Sequence, residues 1–213
     1  MTKAKSELLP SALFDRVDNA DDRLFYLEPR FVAHIDEATI EALSSFYGER
    51  LFKGAAVLDL MSSWISHLPS ETQFSRVAGL GMNQAELVGN LRLDDYVVHD
   101  LNVDPILPYA SSTFDFVLIA VSIQYLVRPL EVFKEIARVL GAGGQVIIST
   151  SHRCFPTKAI RAFHEHSPKD RLQLIAEYIR HTDGFGAPEI LDRSPPGADP
   201  LWLICAKLTA SLE

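Results

Sequence analysis

Apolar positions along the chain fall into short solid runs separated by stretches of helical period. Ala55–Leu60, Arg76–Met82, Tyr96–His99, Phe114–Val121 and Gln145–Ser149 are apolar runs of strand length, and FDFVLIAV after Thr113 is apolar at nearly every position after its Asp. Such runs suit strands covered on both faces of a sheet. Between them, Phe31, Ile35, Ala38, Ala42, Leu43 and Phe46 recur at helical spacing, which predicts a helix over 31–51 with Asp36 and Glu37 in its early turns. Asn83 is placed as an N-cap for a helix over 84–89, and Glu86 three residues on completes a capping-box pattern. Residues 130–140 form an amphipathic helix: Val132, Phe133, Ile136, Val139 and Leu140 share one side, and Glu131, Lys134, Glu135 and Arg138 the other. Gly141-Ala-Gly-Gly144 ends it.

Residues 159–181 read as largely helical, and 188–192 and 201–206 as two last strands joined through the turn-rich Ser194-Pro-Pro-Gly197. Strands alternating with helices imply a mostly parallel α/β sheet with helices on both faces. The last two strands, with no helix between them, predict a C-terminal antiparallel hairpin. Residues 1–54 are expected to form a helical extension or cover, and 55–213 the sheet domain.

Composition narrows the function. An apolar fraction of 47% supports a full core, and a net charge of −8 with no Lys/Arg cluster speaks against a nucleic-acid surface. Two distant cysteines, Cys154 and Cys205, suit a reducing compartment and define neither a disulfide framework nor a zinc site. His164 and His166 are two residues apart and share no helix face, so no metal site is read. The N-terminus is not read as a signal peptide, because Pro10 and Asp15 break its apolar stretch. No run is long and apolar enough to span a membrane. A cytoplasmic protein is expected, with no membrane and no nucleic-acid partner.

Ligands of open α/β sheets sit outside the carboxyl ends of the strands, where the strand order reverses. Asp59 near the end of the first strand and the turn behind it, Leu60-Met-Ser-Ser-Trp-Ile-Ser66, are therefore the first place to look for a nucleotide-type cofactor. The turn has no G-x-G-x-x-G, which argues against a nicotinamide dehydrogenase.

Leu107–Ser149 resembles the fourth-to-fifth-strand region of class I S-adenosylmethionine-dependent methyltransferases of the type 11 kind. An LPF-type segment precedes an FD-V strand, then E-x-x-R-V-L and a glycine pair. Asp115, Glu135, Arg138 and Gly143-Gly144 fall on that pattern, and Ala142 replaces its usual proline. With the strand at 55–60 the resemblance covers roughly 55–150. It implies a Rossmann-like fold, S-adenosylmethionine as cofactor with S-adenosylhomocysteine as product, and methyl transfer.

Two departures stand out. The family's D-x-G-x-G-x-G turn reads here with Met61, Ser62, Ser63 and Trp64. The acidic residue it tends to place at the end of the second strand, for the ribose, is Gly81, leaving Asn83 as the nearest polar side chain. Asp100-Leu101-Asn102 matches the adenine-gripping position. The resemblance thus assigns cofactor contacts to Asp59, Met61, Ser62, Ser63, Gly81, Met82, Asn83, Asp100, Leu101, Asn102 and Val121. Asp59 has two readings, holding the loop or meeting the methionine ammonium; the serines offer backbone N–H groups to an anion.

Tyr26 and Arg30, ahead of the first strand, and Gln124 and Tyr125, past the fourth, are the candidate substrate contacts. An aromatic face tolerates a sulfonium, and a guanidinium holds a carboxylate. Any general base is unassigned, with His34, His152 and Tyr26 as weak candidates. The expected function is methylation of an unidentified small molecule. The alternative, motivated by the glycine-poor turn, is an inactive methyltransferase-like binding or scaffolding protein. A homodimer through the 31–51 helix or the terminal hairpin is possible on this reading.

Overall fold

A computed structural model describes residues 9–209. Seven strands form one sheet in the order β3-β2-β1-β4-β5-β7-β6. These are β1 Ala56–Leu60, β2 Arg76–Gly81, β3 Asp95–Val98, β4 Phe114–Ala120, β5 Leu140–Thr150, β6 Glu189–Asp192 and β7 Trp202–Lys207. The first five run parallel, whereas β7 pairs antiparallel with both β5 and β6. The expected Rossmann-like sheet with a C-terminal antiparallel hairpin is therefore present. The glycine segment 141–144, expected as a stop, is instead drawn into β5, where the register with β4 shifts between Phe114 and Phe116.

The two sheet faces bury separate sets of side chains, as the two-residue strand period requires. Val57, Val77, Phe116, Leu118, Ile147 and Leu203 pack with Leu43, Phe46 and Tyr47 of α2 (Glu37–Arg50). Leu58, Leu60, Leu80, Val117, Ile119, Val146 and Ile148 pack with α4 (Pro129–Val139) and α6 (Pro168–Arg180). The shorter helices are α1 (Asp22–Phe25), α3 (Gln84–Gly89) and α5 (Arg161–Glu165). The stretch 159–181 is thus two helices, broken before Pro168.

Three local expectations are corrected. The helix predicted from Phe31 begins only at Glu37. Asp36 caps it by accepting from the Thr39 N–H at 2.9 Å, and reciprocal bonds with Asp199 fix that point (2.9 and 2.6 Å). Phe31 is left 53% exposed in the preceding loop. The short or irregular helix that Pro69 would still allow after the Ser62-Ser63 turn does not form, since no helix follows β1 before β2. Residues 61–75 are held instead by loop bonds: Ser62 N–H to the Leu80 carbonyl (2.7 Å), and the Asn90 amide to the Ser63 carbonyl and Ser66 hydroxyl (2.9 and 2.8 Å). Leu68 and Phe74 plug the loop into the α2 face of the core. Finally, Asn83 does cap α3 by accepting from Glu86 N–H. The Glu86 carboxylate does not return to the cap. It accepts from the Arg30 N–H (2.6 Å) and the Ser63 hydroxyl (2.7 Å), tying the N-terminal arm, the β1 loop and α3 together.

Candidate cofactor and acceptor cavity

The sheet order reverses between β1 and β4, and at the carboxyl edge there lies a cavity of about 310 Å³. That is at the lower end for small-molecule sites. Its walls come from the β1 loop, the ends of β2, β3 and β4, the segment 153–155, and the N-terminal arm lying across the top. A buried ionic cluster pins the arm. Asp22 accepts from Arg16 (2.8 Å), Lys158 (2.9 Å) and the Asn102 amide (2.9 Å), while Lys158 also meets Asp18 (3.0 Å) and the Ala20 carbonyl (3.0 Å). Burial alone would raise the Asp22 pKa; the bonds from Arg16, Asn102 and Lys158 outweigh it and hold the carboxylate below its ordinary value.

Of the residues singled out in the sequence, Tyr26, Arg30, His34, Asp59, Met61, Ser62, Ser63, Gly81, Met82, Asn83, Asp100, Leu101, Asn102, Val121 and Tyr125 line this cavity. Two lie off it. Gln124 is buried and donates to the Val121 carbonyl at 2.8 Å. His152 is over half exposed and leans on Asp199 at 3.4 Å, and Asp199 is in turn gripped by Arg153 at 2.7 Å. Trp64 also stays out of the crevice: its indole N–H donates to the Val32 carbonyl at 3.1 Å, and its ring meets Phe31.

Several lining side chains are already committed. Asp59 is 2% exposed, and its Oδ2 accepts from both Ser62 (2.6 Å) and Ser66 (2.7 Å), so it braces the loop. Burial nevertheless pushes its pKa up to about 6, against the pull of those two hydroxyls. The Asn83 amide donates to the carbonyls of Tyr26 and Leu27, and the Asn102 amide to Asp22 and the Tyr125 carbonyl. Gly81 has a steric reason to lack a side chain: a Cβ there would sit 2.2 Å from the Ser62 carbonyl oxygen. The loop after β1 thus fills the place of a carboxylate at the end of β2.

Other groups are open. Asp100 Oδ1 accepts from Asn102 and Val103 N–H, but Oδ2 is buried and unpartnered, as is the Ser122 hydroxyl. The Arg30 side chain has no carboxylate partner among the described residues, its backbone N–H alone meeting Glu86. Its guanidinium lies 4.4 Å from the Phe25 ring centre, 5.4 Å from Phe155 and 5.9 Å from Tyr26, and donates to the Phe25 carbonyl. Tyr125 stacks on Phe155 at 5.7 Å and donates no proton readily, its pKa raised by burial to about 12.

Backbone strain is concentrated here. Four described non-glycine residues have left-handed φ, and three line the cavity: Met61 (60°), His67 (55°) and Val121 (45°). Met61 stands where the glycine-rich turn would have its first glycine, and it keeps the left-handed backbone without that residue. Such conformations cost roughly 1–3 kcal/mol each and gather at functional sites. Sequence reasoning missed His67, Glu86, Cys154 and Phe155 as lining residues; burial and long-range packing place them, and neither leaves a local pattern.

A sheet of this order with a cavity at the reversal defines a Rossmann-like fold of the methyltransferase kind. Residues 65–148 match the type 11 family described as "Methyltransferase domain". The match begins beyond β1 and the divergent Met61–Trp64 turn. No curated protein matches the chain. Among solved structures, a chain from the complex of the Haloferax volcanii Trm112 methyltransferase activator with a methyltransferase aligns with TM-score 0.64 and 15% identity, over 83% of this chain and 92% of that one. The [4+2]-cyclase SpnF aligns with TM-score 0.57 and 17% identity, over 78% and 80%. Haemonchus contortus phosphoethanolamine N-methyltransferase 2, in complex with S-adenosyl-L-methionine, aligns with TM-score 0.57 and 15% identity, over 82% and 53%. These likenesses show the fold; a cyclase among them illustrates that the fold alone does not set the reaction. No helix among the described residues is long and apolar enough to cross a membrane.

Proposed function

We propose that the cavity binds S-adenosylmethionine and that the chain methylates a small molecule. The observation that carries this is the clustering of strained backbone at Met61, His67 and Val121 around the crevice where the strand order reverses. Stored strain at that place is expected of a ligand site and gains nothing for an inert scaffold.

The open groups suit the cofactor. Asp100 Oδ2, buried without a partner, offers an acceptor for the adenine amino group, with Leu101 as an apolar neighbour. The Arg30 guanidinium, with no carboxylate partner among the described residues, suits a carboxylate of cofactor or acceptor. Tyr26, whose pKa is raised by burial, stays a neutral aromatic face suited to a sulfonium. The cofactor supplies a methyl group already activated by sulfur. The protein's share is then to exclude water and to align the attacking atom. The arm across the cavity and the aromatic wall of Tyr26, Tyr125 and Phe155 serve both ends.

The alternative, a binding protein without turnover, draws on the commitment of Asp59, Asn83 and Asn102 to internal bonds. Incubation with methyl-labelled S-adenosylmethionine and fractionated small-molecule extract separates the two. Label in a small product supports methyl transfer. No binding of S-adenosylmethionine or S-adenosylhomocysteine in a parallel calorimetric titration supports the alternative. The net charge of −8 and the small cavity favour a small acceptor over nucleic acid.

A further inference from the structure

His67 has no structural explanation. It is 7% exposed, yet neither ring nitrogen has a hydrogen-bond partner among the described residues, and Nδ1 is fully enclosed. Its backbone adopts the left-handed conformation at φ 55°. It lines the cavity together with His34, whose ring packs edge-on to Phe155 at 5.4 Å and likewise has no hydrogen bond among the described residues. A buried polar group left unpaired costs on the order of 1–3 kcal/mol, and the strained backbone adds to that. A histidine held there at such cost calls for a partner that the described residues do not supply.

We propose that His67 is the acceptor-facing residue of the cavity. Its imidazole receives a hydrogen bond from the O–H or N–H of the group to be methylated and turns that group's lone pair toward the methyl. The inference rests on the cofactor reading and extends it to a substrate class: a small hydroxyl- or amine-bearing molecule with an apolar or aromatic body, packed against Tyr26, Tyr125 and Phe155. Burial, with His34 beside it, pushes the His67 pKa down to about 4, and burial lowers that of His34. Both rings are therefore uncharged at neutral pH. An uncharged imidazole can accept a hydrogen bond, and it does not repel a sulfonium as an imidazolium would. Elsewhere on the cavity wall, the Asp22 and Asp59 carboxylates are bonded internally, and each Glu86 oxygen already accepts one bond.

Sinefungin tests this without an identified acceptor, because it carries an amine-bearing carbon in place of the methylsulfonium. Its amine then stands in the place of the transferable methyl, facing the side of the cavity from which the attacking group would come. Calorimetric titrations of sinefungin and S-adenosylhomocysteine are compared in the wild-type protein and in His67→Asn. Asparagine tolerates left-handed φ but lacks the ring. The wild type is expected to prefer sinefungin by about tenfold or more, the scale of one charge-assisted hydrogen bond. In His67→Asn the preference should fall to within about threefold while affinity for S-adenosylhomocysteine is retained. A melting curve close to that of the wild type establishes that the variant is folded, and His67→Gln serves if it is not. A preference unchanged by the substitution, or absent from the wild type, overturns the role of His67 and leaves cofactor binding intact. Binding of neither ligand to the wild type removes the cofactor reading itself, and this inference with it.

Discussion

Replacing Asp59 by asparagine should stabilise the protein at neutral pH. The side chain is 2% exposed, and both serine hydroxyls donate to one oxygen, an arrangement the amide oxygen of asparagine can reproduce. Burial raises the carboxyl from 3.8 to about 6. Because the folded value lies above the unfolded one, the favourable contribution is complete below about pH 4 and is lost as pH rises through about 6. A shift of about two units corresponds to roughly 3 kcal/mol lost by neutral pH. An amide at this position never ionises and does not suffer the loss. Urea denaturation at pH 4.5 and 7.5 reads the effect directly. The Asp59→Asn variant should be close to wild type at the lower pH and more stable by up to ~3 kcal/mol at the higher, or roughly 6–12 °C in melting temperature for a chain of this size. A variant no more stable at pH 7.5, or a gap that does not grow with pH, would refute the reasoning. The expected gain also bears on function, since a carboxylate kept at such cost beside a cavity suggests a trade of stability for activity.

Two other perturbations follow from the geometry. Lys158→Met removes the cation shared by Asp18 and Asp22; with Arg16 and Asn102 still on Asp22, destabilisation should be about 3 kcal/mol by urea denaturation, with faster proteolysis of the 16–30 arm. Gly81→Asp restores a carboxylate at the end of β2 but drives Cβ into the Ser62 carbonyl, so stability should fall by about 2–4 kcal/mol and calorimetric affinity for S-adenosylhomocysteine should drop; tighter binding would contradict the steric explanation.

The sheet was legible because buried parallel strands leave solid apolar runs, and the hairpin because no helical period separates 192 from 201. The pattern around Glu135, Arg138 and Gly143-Gly144 is local, and it carried the family. What stayed hidden depends on partners far along the chain. Phe31 lies on the apolar stripe of α2 by spacing alone, but the helix start is decided by Asp36 meeting Asp199. Glu86 reads as half of a capping box until Arg30 and Ser63 compete for its oxygens. Lys158 and Asp22 are separated by more than a hundred residues, and neither belongs to a charge pattern. Along the sequence His67 is an ordinary loop histidine before Leu68-Pro69, and its interest lies entirely in burial without a partner.

The claim on which the rest depends is that Asp100 and the strained walls around it accept an adenosyl ligand. Titration calorimetry with S-adenosylhomocysteine, on the wild type and on Asp100→Ala, addresses it most directly. Saturable one-to-one binding, weakened about tenfold or more in the variant while the fold persists, is the predicted result. No heat and no thermal shift with the wild type at millimolar ligand would contradict it.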